Sequence, residues 1–320
     1  MSRAETILVT GAAGFIGSTL VDQLLAEGRT VVGLDNFDPF YPEAYKRANL
    51  ADAFGSQAFR LVEGDIRDAA LVDRLLGETR FDCIVHLAAL AGVRPSLERP
   101  ALYADVNVNG TAVLLEAAVK HGSPRVVFAS SSSVYGERES GPFLETDRVD
   151  HPISPYAATK KAGELLAHTF HSAYGLEVTC VRFFTAYGPR QRPDLAIRRF
   201  AERMRAGEPI PIYGDGSALR DFTFVADVAD GLARAADKPL GYAVLNFGAG
   251  RAVTVLEMIE QLERALGIQA KKDFQAPQTG DVPRTLADVS AAREAVGYDP
   301  RVRFEEGIDR FVAWLDPHKQ

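Results

Sequence analysis

Tyr156 and Lys160 stand four residues apart in Tyr156-Ala-Ala-Thr-Lys160, a spacing that puts a phenol and an ammonium on one face of a helix. An unperturbed tyrosine, with a pKa of about 10, is a poor base at neutral pH. A lysine beside it favours the phenolate and lowers that value. Such a group can take the proton of an alcohol while a hydride leaves the same carbon. Serine hydroxyls of the kind clustered in Ser130-Ser-Ser-Ser-Val-Tyr-Gly136 can hold that alcohol and steer its proton. Taken alone, these residues also read as a solvated pair on a helix and a polar strand-to-loop turn. The chemistry therefore depends on a hydride acceptor being held beside them.

The stretch Ile7-Leu-Val-Thr-Gly-Ala-Ala-Gly-Phe-Ile-Gly17 is the place for that acceptor. Ile7 to Thr10 read as a short buried strand, and a helical pattern (Phe15, Ile16, Leu20, Leu24, Leu25) starts at once behind the glycines. Gly11 allows a tight strand-to-helix turn. Gly14 leaves backbone N–H groups open to a pyrophosphate at the helix N-terminus, and Gly17 lets the helix lie close on the strand. A glycine triplet alone also serves as a plain turn. Here a second apolar strand, Thr30 to Leu34, ends in Asp35, eighteen residues after Gly17, where a carboxylate can accept from a ribose diol. Asp35 also repels a 2′-phosphate, which favours NAD over NADP.

The elements that must position these groups alternate through the first 185 residues. Strand-like runs fall at Phe59 to Val62, Cys83 to Leu87, Arg125 to Ala129 and Val178 to Phe184, with helices at Asp68 to Leu76, Ala101 to Lys120 and Pro155 to Tyr174. The expected fold is α/β: a Rossmann-type doubly wound parallel sheet with ligands at the strand C-terminal ends, where Asp35, Asp65, Ala88 and Ser130 fall. After about residue 185 proline and glycine cluster, and helices are expected at 194–205, 225–236, 253–266, 290–296 and 305–315. This predicts an NAD-binding domain over 1–185 and, over 186–320, a smaller, interleaved C-terminal substrate lobe with some segments returning to the main sheet. Residues 37–54 read as a surface insertion after the second strand.

The bulk composition excludes several classes. The 320 residues are 47% apolar, enough for a sizeable core, and carry 36 basic against 43 acidic side chains, net −7, which argues against a nucleic-acid binder. Cys83 and Cys180 lie in apolar strand-like runs and read as buried free thiols of a cytoplasmic protein. No signal peptide and no bilayer-length apolar run is present, so no membrane association is expected. The six histidines show no ligand spacing, so no metal is expected. No Gly-x-Ser-x-Gly elbow supports a hydrolase.

Together the glycine fingerprint, Asp35, the serine turn and Tyr-x-x-x-Lys resemble the extended short-chain dehydrogenase/reductase family of nucleotide-sugar enzymes, over nearly the whole chain. The resemblance extends to Arg182-Phe-Phe-Thr-Ala-Tyr-Gly-Pro189, Gly214-Asp-Gly-Ser-Ala-Leu-Arg-Asp-Phe222 and Asp227-Val228. Ala91-Gly-Val-Arg-Pro-Ser-Leu-Glu98, the serine turn, Thr185 with Arg192-Pro193-Asp194, and Gly280-Asp-Val-Pro283 are similar to the UDP-glucuronate 4-epimerases within it. The resemblance implies a redox loop on a tightly bound NAD. Tyr156, helped by Ser131, removes the proton of the sugar 4-hydroxyl. Lys160 holds the nicotinamide ribose and keeps the tyrosine ionised. Hydride leaves and returns to the opposite face after the 4-keto sugar has swung about its diphosphate link. The implied cofactor-binding set is Gly11, Gly14, Phe15, Ile16, Gly17, Asp35, Asn36, Asp65, Ile66, Leu87, Ala88, Ala89, Ala91 and Asn107, with Tyr156 and Lys160. Asp65 and Ile66 would flank the adenine, although Asp65 also reads as a turn acid. Asn107 would orient backbone near the nicotinamide, or else is a packing asparagine.

Departures from sister families narrow the substrate. Dehydratases and uronate decarboxylases of this fold carry an acid just before the Val-Tyr-Gly of the serine turn, where this chain has Ser133. UDP-galactose 4-epimerases usually have Asn where this chain has Thr185, a smaller residue that leaves room for a sugar carboxylate. Thr185, Ser132 and Ser133 are the expected carboxylate grip. Arg192 and Arg220 are candidates for the UDP diphosphate, Tyr213 for the uracil, Asp281 for the uridine ribose, and Arg94 for the diphosphate or sugar. Each also reads as an ordinary surface or loop residue. The expected function is 4-epimerisation of UDP-glucuronate to UDP-galacturonate. The alternatives are a neutral UDP-hexose 4-epimerase, a UDP-glucuronate decarboxylase, a simple alcohol dehydrogenase, or a non-catalytic dinucleotide sensor, against which intact Ser131, Tyr156 and Lys160 count. A UDP-sugar is the expected partner, and pairing of the Ala101 and Pro155 helices across a homodimer is implied by the family. Their amphipathic faces also suit an intrachain core.

Overall fold

The computed structural model describes residues 5–138, 140–277 and 282–316. In chain order the strands are β1 (Thr6–Thr10), β2 (Thr30–Asp35), β3 (Phe59–Glu63), β4 (Cys83–His86), β5 (Arg125–Ser131), β6 (Val178–Phe183), β7 (Thr185–Tyr187), β8 (Ile210–Tyr213), β9 (Leu219–Arg220), β10 (Phe222–Phe224), β11 (Tyr242–Phe247), β12 (Val253–Thr254) and β13 (Lys272–Gln275). Seven of them form one sheet in the order β11-β6-β5-β4-β1-β2-β3, every neighbouring pair parallel. The chain runs outward from β1 to β3, then returns to lay β4 against the other side of β1. The connections after β1 and β4 therefore leave in opposite directions, and a crevice opens at the strand ends between them.

A parallel sheet covered on both faces needs apolar residues on both, which is why β1 and β4 are buried throughout. Successive β1 side chains alternate between two cores. Ile7 and Val9 pack with Leu20, Val21 and Leu24 of the Phe15–Ala26 helix and with Val228, Ala229 and Leu232 of the Val225–Ala236 helix. Leu8 packs with Val72, Leu75, Leu114, Leu115 and Ala167 from the helices on the other face. A third core (Tyr187, Ile197, Phe200, Ile212, Ile259, Leu262, Ile308, Phe311) holds the lobe together. Strand β11 and the Val225–Ala236 helix come from the C-terminal part of the chain yet belong to the main sheet and its first core.

Three sequence expectations need correction. The run from Ala101 to Lys120 is not one helix: Pro100–Ala104 leads into a π turn at Asp105–Asn109 before the Gly110–Lys120 helix. The wide turn turns the Asn107 side chain onto the backbone of Leu90, a bond that helical periodicity cannot foresee. Residues 37–54 lie at the surface, as expected, but not as a plain insertion. They fold over the crevice through a Glu43–Asn49 helix and bury Phe37, Tyr41, Leu50 and Ala53, while Asn49 Nδ2 donates to the Ala13 carbonyl at 3.1 Å. The helix expected from Val253 starts at Val255, because Val253–Thr254 pairs antiparallel with Leu219–Arg220. No helix among the described residues is long and apolar enough to cross a membrane. Both cysteines are buried thiols.

Candidate active site

A cavity of about 570 Å³ opens at the carboxyl ends of the sheet strands, lined on one side by Gly11, Gly14, Phe15, Ile16 and Gly17. Gly11 takes the left-handed φ of +71° that lets β1 turn straight into the helix. A Cβ on Gly17 would stand 2.1 Å from the Gly11 carbonyl oxygen, so any side chain there would push the helix off the turn. Gly14 is the N-cap, and no side chain among the described residues caps the helix, which leaves its first N–H groups free for an anion. Asp35 closes β2 on the same cavity, its carboxylate accepting from Ala13 N–H at 2.9 Å and Phe37 N–H at 2.8 Å. Burial pushes this carboxyl up, opposed by those two bonds and by Lys46. A bare helix N-terminus and an acid at the end of the next strand fit a dinucleotide with a free ribose diol.

Of the remaining expected cofactor contacts, Asn36, Asp65, Ile66, Leu87, Ala88, Ala89 and Ala91 line the cavity. Asp65 accepts from Arg67 Nη2 at 2.8 Å and from Asn36 Nδ2 at 2.9 Å, and the Arg67 bond leads in holding its pKa down at about 2. Asn107 lies outside the cavity wall. Its buried amide accepts from Leu90 N–H at 2.8 Å and donates to the Leu90 carbonyl and to Thr159 Oγ1, so it acts by fixing the Ala88–Gly92 backbone.

Tyr156, Lys160 and Ser131 meet in the same cavity. Ser154 caps the Pro155–Tyr174 helix through Ala157 N–H, which sets Tyr156 and Lys160 at its start on the cavity face. Tyr103 meets the Tyr156 ring edge-on, with centroids 6.4 Å apart. Burial raises the Tyr156 pKa, opposed by a hydrogen bond with the Ser131 hydroxyl and by the Arg192 guanidinium. Lys160 Nζ donates to the Ala129 carbonyl at 2.8 Å, lies 6.0 Å from the Tyr156 ring centre, and is itself lowered to about 7 by burial. Ser131 Oγ accepts from Ser133 N–H and donates to Ser133 Oγ, both at 3.1 Å, which holds the serine turn in one arrangement.

Thr185, Ser132 and Ser133 line both this cavity and a smaller one of about 170 Å³ beside it, which Arg220 also lines. They stand at the junction of the two spaces. Arg192 is on the wall of the larger cavity, its guanidinium paired with Asp194 through Nε at 2.9 Å and Nη2 at 2.8 Å. Arg94 and Tyr213, expected on different parts of a ligand, stand together: the guanidinium lies 4.9 Å from the ring centre, and neither residue is on the wall of these two cavities. Asp281 lies outside the described residues.

Sequence reading missed Phe40, Tyr41 and Lys46, cavity residues on the segment taken for an insertion. Only the aromatic density of Asp38-Pro-Phe-Tyr41, unusual for a solvated loop, could have pointed to them. It also missed His86, whose ring bonds Thr10 Oγ1 at 2.7 Å and Thr111 Oγ1 at 3.0 Å. Burial and then the Lys160 charge hold it neutral, with a pKa of about 3, so it ties β1, β4 and the Gly110–Lys120 helix together as a structural group.

The comparisons agree with this geometry. The model of the GDP-mannose 4,6 dehydratase family matches residues 8–311. A UDP-glucuronate 4-epimerase of Thermodesulfobacterium geofontis is 42% identical over 308 residues, covering 96% of this chain and 95% of the relative. UDP-glucuronate 4-epimerase 1 of Arabidopsis thaliana is 42% identical over 331 residues, covering 98% of this chain and 77% of the relative. The crystal structure of a Bacillus cereus UDP-glucuronic acid 4-epimerase, in complex with UDP-glucuronic acid and NAD, superposes with a TM-score of 0.92 at 36% identity, covering 98% of this chain and 99% of that one. With its glycine turn, Tyr-x-x-x-Lys pair and seven-stranded parallel sheet, the chain belongs to the GDP-mannose 4,6 dehydratase family of extended short-chain dehydrogenases/reductases.

Proposed function

We propose that this protein is an NAD-dependent isomerase that converts UDP-glucuronate to UDP-galacturonate through transient oxidation at the sugar C4. The observation that carries the reading is that Tyr156, Ser131 and Lys160 line the same cavity as the Gly11–Gly17 turn. The Phe15–Ala26 helix N-terminus would hold the dinucleotide pyrophosphate and Asp35 its ribose. When bound, NAD accepts the C4 hydride and returns it, so the reaction ends with no net oxidation. Tyr156 takes the 4-hydroxyl proton and later gives it back, Ser131 steers that proton, and Lys160 anchors the ribose side.

A 4-keto uronic acid is a β-keto acid and loses carbon dioxide readily, so its carboxylate must be gripped before the sugar turns. Thr185, Ser132 and Ser133 suit this, because they present hydroxyls where the two cavities join and Ser133 offers no acid for a decarboxylation step. Thr185→Asn is expected to lower kcat/KM for UDP-glucuronate at least about tenfold more than for UDP-glucose, the loss of one hydroxyl contact to a charged group. Parallel losses on both substrates would remove Thr185 from the grip.

Incubation of the purified protein with UDP-glucuronate, with products resolved by chromatography, tests the whole reading. UDP-galacturonate is expected, with no net change at the NADH absorbance band. A UDP-pentose as sole product would make the protein a decarboxylase, and turnover of neutral UDP-hexoses alone would move the assignment to that substrate class.

Residues 186–320 supply mainly the UDP-sugar lobe on this reading, and 1–185 the NAD-binding domain. Two buried thiols suit a reducing cytoplasm. Pairing of two copies through the Pro155–Tyr174 helix, as the family resemblance implies, would cover Leu165, which is 58% exposed there. Light scattering should give about twice the chain mass of 34.7 kDa, and Leu165→Glu should shift it to a monomer. A monomeric parent protein would end the dimer proposal.

A further inference from the structure

The segments 37–54 and 188–198 are fastened to each other beside the cavity by three arginines, which reach Asp52, Phe40 and Tyr45. Arg190 is 2.6 Å from Asp22 on the Phe15–Ala26 helix and 3.6 Å from Asp52. The Arg192 guanidinium lies 5.2 Å from the Phe40 ring centre, and that of Arg198 lies 4.7 Å from the Tyr45 ring centre. Both segments also contribute wall to the larger cavity, Phe40 from one and Arg192 from the other. Arg190 makes its contacts from a left-handed backbone, φ +66°, which costs any residue other than glycine. Its two carboxylate partners account for an arginine being held there.

We propose that these two segments form a latch that keeps the dinucleotide in its crevice from one turnover to the next, a proposal that rests on the epimerase reading above. An alcohol dehydrogenase must exchange its cofactor in every cycle. An epimerase holds a reduced cofactor and a ketone together in mid-cycle, and escape of either strands the other. One side of the latch follows directly on Asp35, the expected ribose partner, and the other carries Arg192, the expected diphosphate partner. Fastening the two therefore closes the cofactor side and the substrate side as one unit. Each contact is weak alone, being a partly exposed ion pair or a cation over a ring. Their effect is expected in the rate at which cofactor leaves.

The test uses Arg190→Gly, which removes the ion pairs while suiting the left-handed backbone, and Tyr45→Ala, which removes an exposed ring, singly and together in the NAD-loaded full chain. NAD release is followed by a chase with a fluorescent NAD analogue, and bound NAD is measured after gel filtration alongside Tm. The combined variant is expected to release NAD at least about tenfold faster than the parent, with Tm close to the parent value and with kcat in excess NAD within about twofold. Release at the parent rate overturns the latch, and so does faster release that appears only with a matching fall in Tm. A parent protein that neither retains NAD nor epimerises UDP-glucuronate overturns the epimerase reading instead. A parent that does both, beside variants that hold NAD equally well, overturns the latch alone.

Discussion

Tyr156→Phe is expected to lower kcat for UDP-glucuronate epimerisation by about 1,000-fold, the middle of the range for losing a positioned general base. The change deletes one oxygen. Tyr103 packs edge-on to the Tyr156 ring, and phenylalanine keeps that contact, so the helix and cavity wall should hold their shape. Bound NAD and Tm should stay near the parent values, which separates loss of chemistry from loss of structure. Ser131→Ala should cost less, because the phenol remains and only a hydroxyl lining the same cavity goes. Since burial raises the Tyr156 pKa and the Arg192 charge opposes it, the acid limb of the kcat profile should move to higher pH in Arg192→Gln. A Tyr156→Phe enzyme with undiminished kcat would remove the phenol from the reaction.

How much of this was legible in the sequence depends on how local each signal is. Gly11, Gly14, Gly17 and Asp35 sit at fixed offsets from two apolar strands, so their convergence on one crevice follows from the βαβ geometry alone. Tyr156 and Lys160 lie one helical turn apart behind a Ser-Pro start, and the Pro155–Tyr174 helix runs where periodicity put it. Contacts between distant segments were not legible. Arg94 and Tyr213 are 119 residues apart, and nothing in either neighbourhood signals that one ring lies under the other's guanidinium. Residues 37–54 carry five charged residues and two prolines and so look solvated, yet two of their five aromatics are what the Arg190–Arg198 stretch packs upon. That some C-terminal segment returns to the main sheet was expected, but not which one: β11 pairs with β6, a partner more than sixty residues earlier, and pairing of that kind leaves no local periodicity beyond a short apolar run.

Arg182→Met is expected to destabilise the fold by about 3–5 kcal/mol, the usual cost of leaving one partner of a buried ion pair behind. Arg182 on β6 reaches Glu164 on the Pro155–Tyr174 helix through Nε at 2.8 Å and Nη2 at 2.9 Å, and both side chains are almost fully buried. Ser130 donates to the same carboxylate at 2.6 Å, so the pair also fixes the residue before Ser131. Methionine would fill much of the space and leave Glu164 with only Ser130 and Lys161. Burial pushes the Glu164 carboxyl up, but the Arg182 hydrogen bonds and charge outweigh it and the net direction is down from 4.5. A carboxyl depressed in the folded protein lends stability that is complete above its unfolded pKa and is lost as pH falls through the folded value. The parent protein should therefore lose this contribution on acidification below about pH 4.5, the unfolded value. In Arg182→Met the carboxyl, now buried without its cation, should titrate at higher pH, so that this variant gains relative to the parent as pH falls. Adding Glu164→Gln removes the stranded charge and should recover part of the loss at pH 7. Urea unfolding at pH 7 and pH 4 measures all three proteins. A loss below about 1 kcal/mol for Arg182→Met at pH 7 would show that the pair is not what ties β6 to the catalytic helix.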